Sequence, residues 1–409
     1  VRVVIIGAGP AGLTVAENLR RLDGEVDITM LSAEPFPPYA PPALADYFLT
    51  GREETLFWKG RDIGERLALD YREGTSVSGL RVKDHQLLLE DARTLDYDRL
   101  VIASGSRLYA PIPGDDLPGV YNFKSLQAAS ALVQRARDGG AGKGVIVGAG
   151  FIGVEVALLL ADLGLAVTVL EMKDHVMPGM LDPETAEIVR CELERRGVDV
   201  RLDTRARAFA GKRKATAVEL ESGKPLKADF YVAATGVKPN VAVLDGTGID
   251  LDWGVRVDQH LRTNLPDIYA AGDVAETRDR MTGEPYVHAI FPNAVAQGNV
   301  VAENLLGYDT VYDGAERMNS LKHLGLPVMA VGAREAEEEL RWRDGDALRK
   351  IFLSDGRIVG FRLAGDIRAA GIYRSLMLRR VDVRSFGRRL LDPRFCSTTL
   401  LPTIPGMAA

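Results

Sequence analysis

Cysteine is almost absent, with only Cys191 and Cys396 in 409 residues. Two thiols so far apart form no CxxC or CxxxxC pair, which excludes a cysteine-rich zinc or iron–sulfur site. Neither sits in a motif that would activate a thiolate, so both read as incidental thiols. Histidine is also scarce, and His85, His175, His260, His288 and His323 make no HExxH or other ligand spacing, so no metal site is expected. No apolar run reaches the ~18 residues that a membrane span needs. Positive charge is not in excess, and a net charge of -6 disfavours general nucleic-acid binding. An apolar strand begins within the first two residues, so no leader peptide is expected and a cytoplasmic location is. What remains is ordinary globular composition, 46% hydrophobic and 26% charged, in a chain long enough for two to three domains of ~150 residues.

Glycine is plentiful, at 42, and it is clustered. Val1 to Gly7 is an apolar, β-branched run suited to a strand buried on both faces of a parallel sheet. Gly7-Ala8-Gly9-Pro10-Ala11-Gly12 follows it directly, then a helix pattern from Leu13 to Arg21 and a second strand from Asp27 to Leu31. The pattern recurs with a strand from Gly144 to Val147 and the turn Gly148-Ala149-Gly150-Phe151-Ile152-Gly153. A helix pattern from Val154 to Leu163 and a strand from Ala166 to Leu170, closed by Glu171, complete the repeat. In a GxGxxG turn the first glycine permits the tight bend, the second admits a pyrophosphate and the third lets helix and strand pack closely. One such sequence is equally an ordinary βα turn; two, each between a strand and a helix, predict two bound dinucleotides. A carboxylate at Glu171 would bond a free ribose 2′-hydroxyl and repel a 2′-phosphate, favouring NAD(H) over its phosphorylated form. In the first unit that place is held by Ser32, with Glu34 two residues on, and either the Ser32 backbone or Glu34 is expected to hold a ribose.

Strands are expected at Arg99 to Ser104 and Asp229 to Ala234, and a hairpin through Ser222-Gly223-Lys224 is expected to join Ala217–Leu220 to Leu226–Val232. Pro292 to Leu306 reads as a helix, and Arg349–Leu353 with Ile358–Leu363 as another hairpin. From about residue 316 the texture changes, ending in short Arg-rich helices and a Pro-rich tail.

In order along the chain, GAGPAG, Ala103-Ser104-Gly105, GAGFIGVE, Ala234 to Asn240 (ATGVKPN) and Thr263 to Glu276 (TNLPDIYAAGDVAE) resemble the FAD-dependent pyridine nucleotide-disulfide oxidoreductase superfamily over nearly the whole length. The resemblance implies an α/β fold with two Rossmann-type domains, one for FAD and one for NAD(H), and a small α+β C-terminal domain. The boundaries expected are 1–112 with 245–315 for FAD, 113–244 for NAD(H) and 316–409 for a C-terminal interface domain. On FAD it places Gly7, Gly9, Pro10, Ala11, Gly12, Ser32, Glu34, Val77 at the adenine, Ala103, Ser104, Gly105, Lys124 at the pyrophosphate, and Gly272 with Asp273 at the ribityl chain. On NAD(H) it places Gly148, Gly150, Phe151, Ile152, Gly153, Glu171 and Gly236, with Glu155 touching the nicotinamide as the one catalytic candidate. The helix from Pro292 would turn its N-terminus to the flavin pyrimidine edge.

Pro35 to Phe48 (PFPPYAPPALADYF) lacks the cysteines of the thiol-dependent branches and is similar instead to rubredoxin reductases, ferredoxin reductases and the flavin part of nitrite reductases. Pro41 and Asp46 stand where many of those relatives carry basic residues, so no lysine is on hand there to pair with Glu155. The texture also resembles the FAD subunits of multi-subunit oxo-acid or aldehyde oxidoreductases. The implied activity is hydride exchange with NAD(H) and electron exchange with an iron–sulfur protein or with a subunit of a larger complex. Two other readings stay open: a cysteine-free NADH oxidase using O2, and a non-enzymatic flavoprotein whose interactions respond to NAD(H). Between Asp366 and Arg394 eight arginines face three aspartates, either as a solvated surface or as a docking patch for an acidic partner.

Overall fold

The computed structural model describes residues 1–321 and 325–395. His323 and Cys396 therefore lie outside the described residues. The chain forms two compact units, one of residues 1–110, 122–134 and 236–316, the other of 111–121, 135–235 and 317–409.

The first unit is built on a five-stranded parallel sheet in the order Ile268–Ala270, Arg99–Ile102, Arg2–Ile6, Asp27–Leu31, Asp70–Arg72. Val3 to Ile6 are buried on both faces, as their unbroken apolar run predicts. Each such side chain taken from water contributes about 1.5–3 kcal/mol. Parallel strands need a crossover, and Pro10–Leu22 supplies it as a helix that starts on Pro10 and ends with Arg20 and Arg21 in its last turn. One sheet face packs on that helix and on helix Phe291–Leu305. The two helices approach closely because residue 298 is glycine: a Cβ there would stand 2.7 Å from the Ala11 carbonyl oxygen. The other face carries the antiparallel strands Val77–Arg81, Gln86–Leu89 and Thr94–Asp96.

The second unit repeats the scheme with Asp199–Arg201, Ala166–Leu170, Lys143–Val147, Phe230–Ala233 and Val120–Tyr121, all parallel. Its crossover helix is Phe151–Asp162. The hairpin expected over 217–232 is corrected here. Ala217–Leu220 pairs antiparallel with Ala206–Ala210, and Leu226 makes only an isolated bridge to Val218. Phe230–Ala233 is buried throughout and belongs to the parallel sheet, because a wholly apolar segment gains most where both faces are covered. Residues 317 onward add a five-stranded antiparallel sheet whose central hairpin, Ala347–Ser354 with Arg357–Ala364, lies where the sequence placed it. Helix Ala370–Leu378 closes its core through Tyr373, Leu376 and Met377. This sheet is tied to helix Pro183–Arg195 by a largely buried cation: Lys350 Nζ lies 2.8 Å from Asp182 and 3.1 Å from Glu184.

Candidate functional site

The first glycine-rich turn assigns a separate physical job to each glycine. Gly7 has φ +109°, and a Cβ on it would meet the Ala103 carbonyl oxygen at 2.1 Å. A Cβ on Gly12 would meet the Gly7 carbonyl oxygen at 2.0 Å. Gly9 instead faces open space, with nothing within 4 Å of its Cβ position. Gly9 is also the N-cap of helix Pro10–Leu22 and offers no side-chain cap, so the N–H groups of the first turn face outward. An open glycine at an uncapped helix start is a seat for an anion such as a pyrophosphate. The second turn reproduces the arrangement: Gly148 against Ala234, Gly153 against Gly148, and Gly150 open at the uncapped start of Phe151–Asp162.

Past the second strand of the first unit, Ser32 is committed to its loop. Its N–H donates to the Arg72 carbonyl and its carbonyl accepts from Thr75. Its hydroxyl accepts the Glu34 N–H at 3.2 Å. Glu34 has more acceptor capacity left than Ser32. Glu34 Oε2 accepts the Tyr39 hydroxyl at 2.5 Å, while Oε1 is buried with no partner. An unsatisfied buried carboxylate oxygen wants a donor, and a ribose hydroxyl supplies one. Val77 starts its strand half-buried, two residues past Thr75, whose N–H donates to the Ser32 carbonyl.

Asp273 gathers the opposite end. Its Oδ2 accepts the Ser106 hydroxyl at 2.6 Å and lies 3.3 Å from Lys124 Nζ. Lys124 thus stands on the carboxylate that the sequence assigned to the ribityl chain. Gly272, at φ +82°, has its N–H held by the buried Gln297 side chain at 2.6 Å, which locks the turn that presents Asp273. Ser104 and Gly105 are fixed by Asn240, whose carbonyl accepts the Ser104 hydroxyl and whose N–H donates to Gly105. Helix Phe291–Leu305 starts at an uncapped Ile290, with Pro292 in its first turn. These groups fit FAD by their chemistry: an open phosphate seat, a buried acceptor for ribose and a second carboxylate for a sugar-alcohol chain.

In the second unit Glu171 is 7% exposed, and its carboxylate accepts the N–H groups of Ala149 and Lys173, each at 3.0 Å. It therefore braces the glycine-rich turn, and its remaining lone pairs are left for a ribose. Glu155 sits half-buried in helix Phe151–Asp162, one turn past Phe151 and Ile152. Gly236 has φ +127° and no atom within 4 Å of its Cβ position, so the backbone there admits a close ligand.

Other singled-out residues lie in structural settings. The Cys191 thiol is pushed up by burial and by its hydrogen bond to Glu187, the reverse of an activated thiol. His288 is paired with buried Asp279 at 2.7 Å. Of the C-terminal arginines, Arg368, Arg384 and Arg394 pair with neighbouring aspartates, whereas Arg379, Arg380, Arg388 and Arg389 are exposed and make no ion pair among the described residues. Among the described residues no group of three histidine, cysteine or carboxylate side chains is placed to hold a metal ion, and no helix is long and apolar enough to cross a membrane. Sequence reasoning missed Tyr39, Ser106 and Gln297, because each acts by pairing with a residue distant in sequence or by a loop geometry that has no motif.

The family model for pyridine nucleotide-disulphide oxidoreductases matches residues 1–298. An NADH oxidase of Methanocaldococcus jannaschii is 30% identical over 398 residues, spanning 90% of this chain and 88% of that protein. The epsilon subunit of the NADH-dependent phenylglyoxylate dehydrogenase of Aromatoleum evansii is 28% identical over 401 residues, 95% of this chain and 94% of the subunit. Among solved structures, that of the covalent putidaredoxin reductase–putidaredoxin complex matches with a TM-score of 0.86 at 25% identity, over 96% of this chain and 95% of the matched one.

Proposed function

The chain belongs to the pyridine nucleotide-disulphide oxidoreductase family, and from that premise we propose that it passes electrons between NAD(H) and an iron–sulfur protein or subunit by way of bound FAD. It is an NADH-dependent FAD oxidoreductase of the electron-transfer kind. The observation that carries the proposal is the pair of open, uncapped glycine turns in a chain whose flavin-side segment has no cysteine. With no thiol pair to relay them, electrons leave the flavin for a partner directly. The names of the relatives support such partners: a dehydrogenase subunit and a reductase captured with its redoxin.

Bound FAD would supply the conversion of hydride from NADH into single electrons, which nicotinamide does not readily make. The chain supplies position and field. Gly7, Gly9 and Gly12, with Pro10 and Ala11 in the first helical turn, seat one pyrophosphate, and Glu34 accepts from the adenosine ribose. Asp273, oriented by Ser106 and Lys124, accepts from the ribityl chain. Ala103, Ser104 and Gly105 line the cofactor with backbone, and Val77 meets the adenine. The N-terminus of helix Phe291–Leu305 favours negative charge on the flavin pyrimidine edge. Gly148, Gly150, Phe151, Ile152 and Gly153 seat the NAD pyrophosphate, Glu171 takes its ribose, Glu155 touches the nicotinamide, and Gly236 is a further backbone candidate for NAD(H). The domain division 1–112 with 245–315, 113–244 and 316–409 and a cytoplasmic setting go with this reading.

The test separates two half-reactions by stopped flow. NADH should bleach the flavin fast, and reoxidation by a ferredoxin or rubredoxin should outrun reoxidation by air. The relative named an NADH oxidase favours a second reading, direct reaction with O2. Faster reoxidation by air than by any iron protein would establish that reading in place of the first.

A further inference from the structure

A half-buried tyrosine links Glu34 to the start of helix Leu126–Arg137. The Tyr39 hydroxyl has two partners: it donates to Glu34 Oε2 at 2.5 Å and accepts the Leu126 N–H at 3.0 Å. The direction of both bonds is fixed by chemistry. An amide N–H can only donate and a carboxylate can only accept, so the single phenolic proton must point at Glu34. Leu126 opens helix Leu126–Arg137, and its N–H is one of the first-turn donors that have no partner inside the helix. Two residues earlier stands Lys124, which lies on Asp273. Tyr39 therefore connects the carboxylate of the ribose seat to the segment that carries the cation on the ribityl carboxylate. Burial, and next the charge of Glu34, raise the phenol far above its ordinary value, so it stays protonated and donating.

The consequence falls on Glu34. With Oε2 spoken for, the carboxylate has one buried and unpartnered oxygen, Oε1. A free carboxylate rotates and spreads its lone pairs over many directions. One clamped through Oε2 presents a single acceptor before the ligand arrives, and that lowers the ordering cost of binding. We propose that Tyr39 is a positioning residue for FAD, holding Glu34 so that Oε1 meets the adenosine ribose; this rests on the reading that the first unit binds FAD.

The experiment is a double-mutant cycle on FAD affinity, with apoprotein titrated by FAD and flavin fluorescence as readout. Tyr39→Phe removes only the hydroxyl and should raise the Kd on the order of tenfold, the weight of one hydrogen bond to a charged group. Glu34→Ala should raise it at least as much. The double variant should bind no worse than Glu34→Ala alone, because Tyr39 acts only through that carboxylate. Additive losses in the double variant would mean a general effect on the fold and would overturn the proposal, as would a wild-type Kd for Tyr39→Phe. Should Tyr39→Phe fail to fold, Tyr39→His, which keeps a ring and a donor, decides: tighter FAD binding than Tyr39→Leu supports the role, and equal binding overturns it. Failure of the wild-type chain to bind FAD at all would instead overturn the cofactor reading, and the proposal with it.

Discussion

Gly9 and Gly12 stand three positions apart in one turn, and a methyl group on each would do opposite things. At Gly9 it would point into open space, whereas at Gly12 it would stand 2.0 Å from the Gly7 carbonyl oxygen. Gly9→Ala should leave the unfolding midpoint of the apoprotein within about 0.5 kcal/mol of wild type while FAD affinity falls. Gly12→Ala should cost about 1–3 kcal/mol of stability because backbone must move. Thermal unfolding and FAD titration on the two variants check both halves. Asp273→Ala should yield protein low in flavin absorbance, since Ser106 and Lys124 then aim at nothing. At Glu171 the carboxylate braces Ala149, and on the proposed reading it would also repel a 2′-phosphate. Glu171→Ala should narrow the preference for NADH over NADPH by about tenfold, on a scale of roughly 1–3 kcal/mol for such a contact. Flavin reduction rates with the two nucleotides measure the ratio.

At the scale of elements, the glycine-rich βαβ units were legible because each motif is local: strand, turn and helix follow one another and the geometry is set within about 15 residues. The small elements of residues 217–232 were not, because the partner of each strand is chosen by burial elsewhere in the sheet. The crossing of helices Pro10–Leu22 and Phe291–Leu305 belongs to this scale too. Gly298 meets Ala11 and Thr14 there, so Gly298→Val should lower stability by about 1–3 kcal/mol. Thermal unfolding of the apoprotein checks it. The same change should weaken FAD binding, since neighbouring Gln297 holds the Gly272 N–H.

For the molecule as a whole, charge decides two behaviours. Lys350, Arg341 and Arg343 gather on Asp182 and Glu184 in the second unit. The Arg341 guanidinium above all, with Lys350 and Arg343, holds Glu184 down at about 2. Asp182 is held low by Lys350 and Thr185 although burial opposes this. A carboxylate with a depressed folded-state pKa adds stability that is complete above its unfolded value of about 4 and is lost as pH falls through the folded value. Urea midpoints should therefore drop between about pH 4 and pH 2, and Lys350→Met should flatten that drop. Arg379, Arg380, Arg388 and Arg389, exposed and without an ion pair among the described residues, are the candidate docking patch for an acidic partner. Reversing Arg379 and Arg380 to Glu should slow electron transfer to an acidic iron protein, less so at high salt, and leave reduction by NADH unchanged. Stopped-flow rates over a salt series test this.

By itself the sequence determined the class of the fold and the two glycine-rich turns, and marked Glu34, Asp273 and Glu171 as candidate cofactor contacts, because those signals are short-range: a buried strand, a bend only glycine allows and an acid after a strand. It named Ser32 and Glu34 as alternatives for one ribose and had no means to choose between them. Tertiary structure separates their surroundings: Ser32 spends its backbone groups on Arg72 and Thr75, whereas Tyr39 takes one carboxylate oxygen of Glu34 and the other has no partner among the described residues. The resemblance puts Lys124 at the pyrophosphate, and the fold brings its Nζ to 3.3 Å from Asp273, 149 residues away, a pairing the sequence did not show. Such pairings depend on how distant segments pack and on which polar groups are left unsatisfied once the backbone is paired, and neither is written in any stretch of sequence.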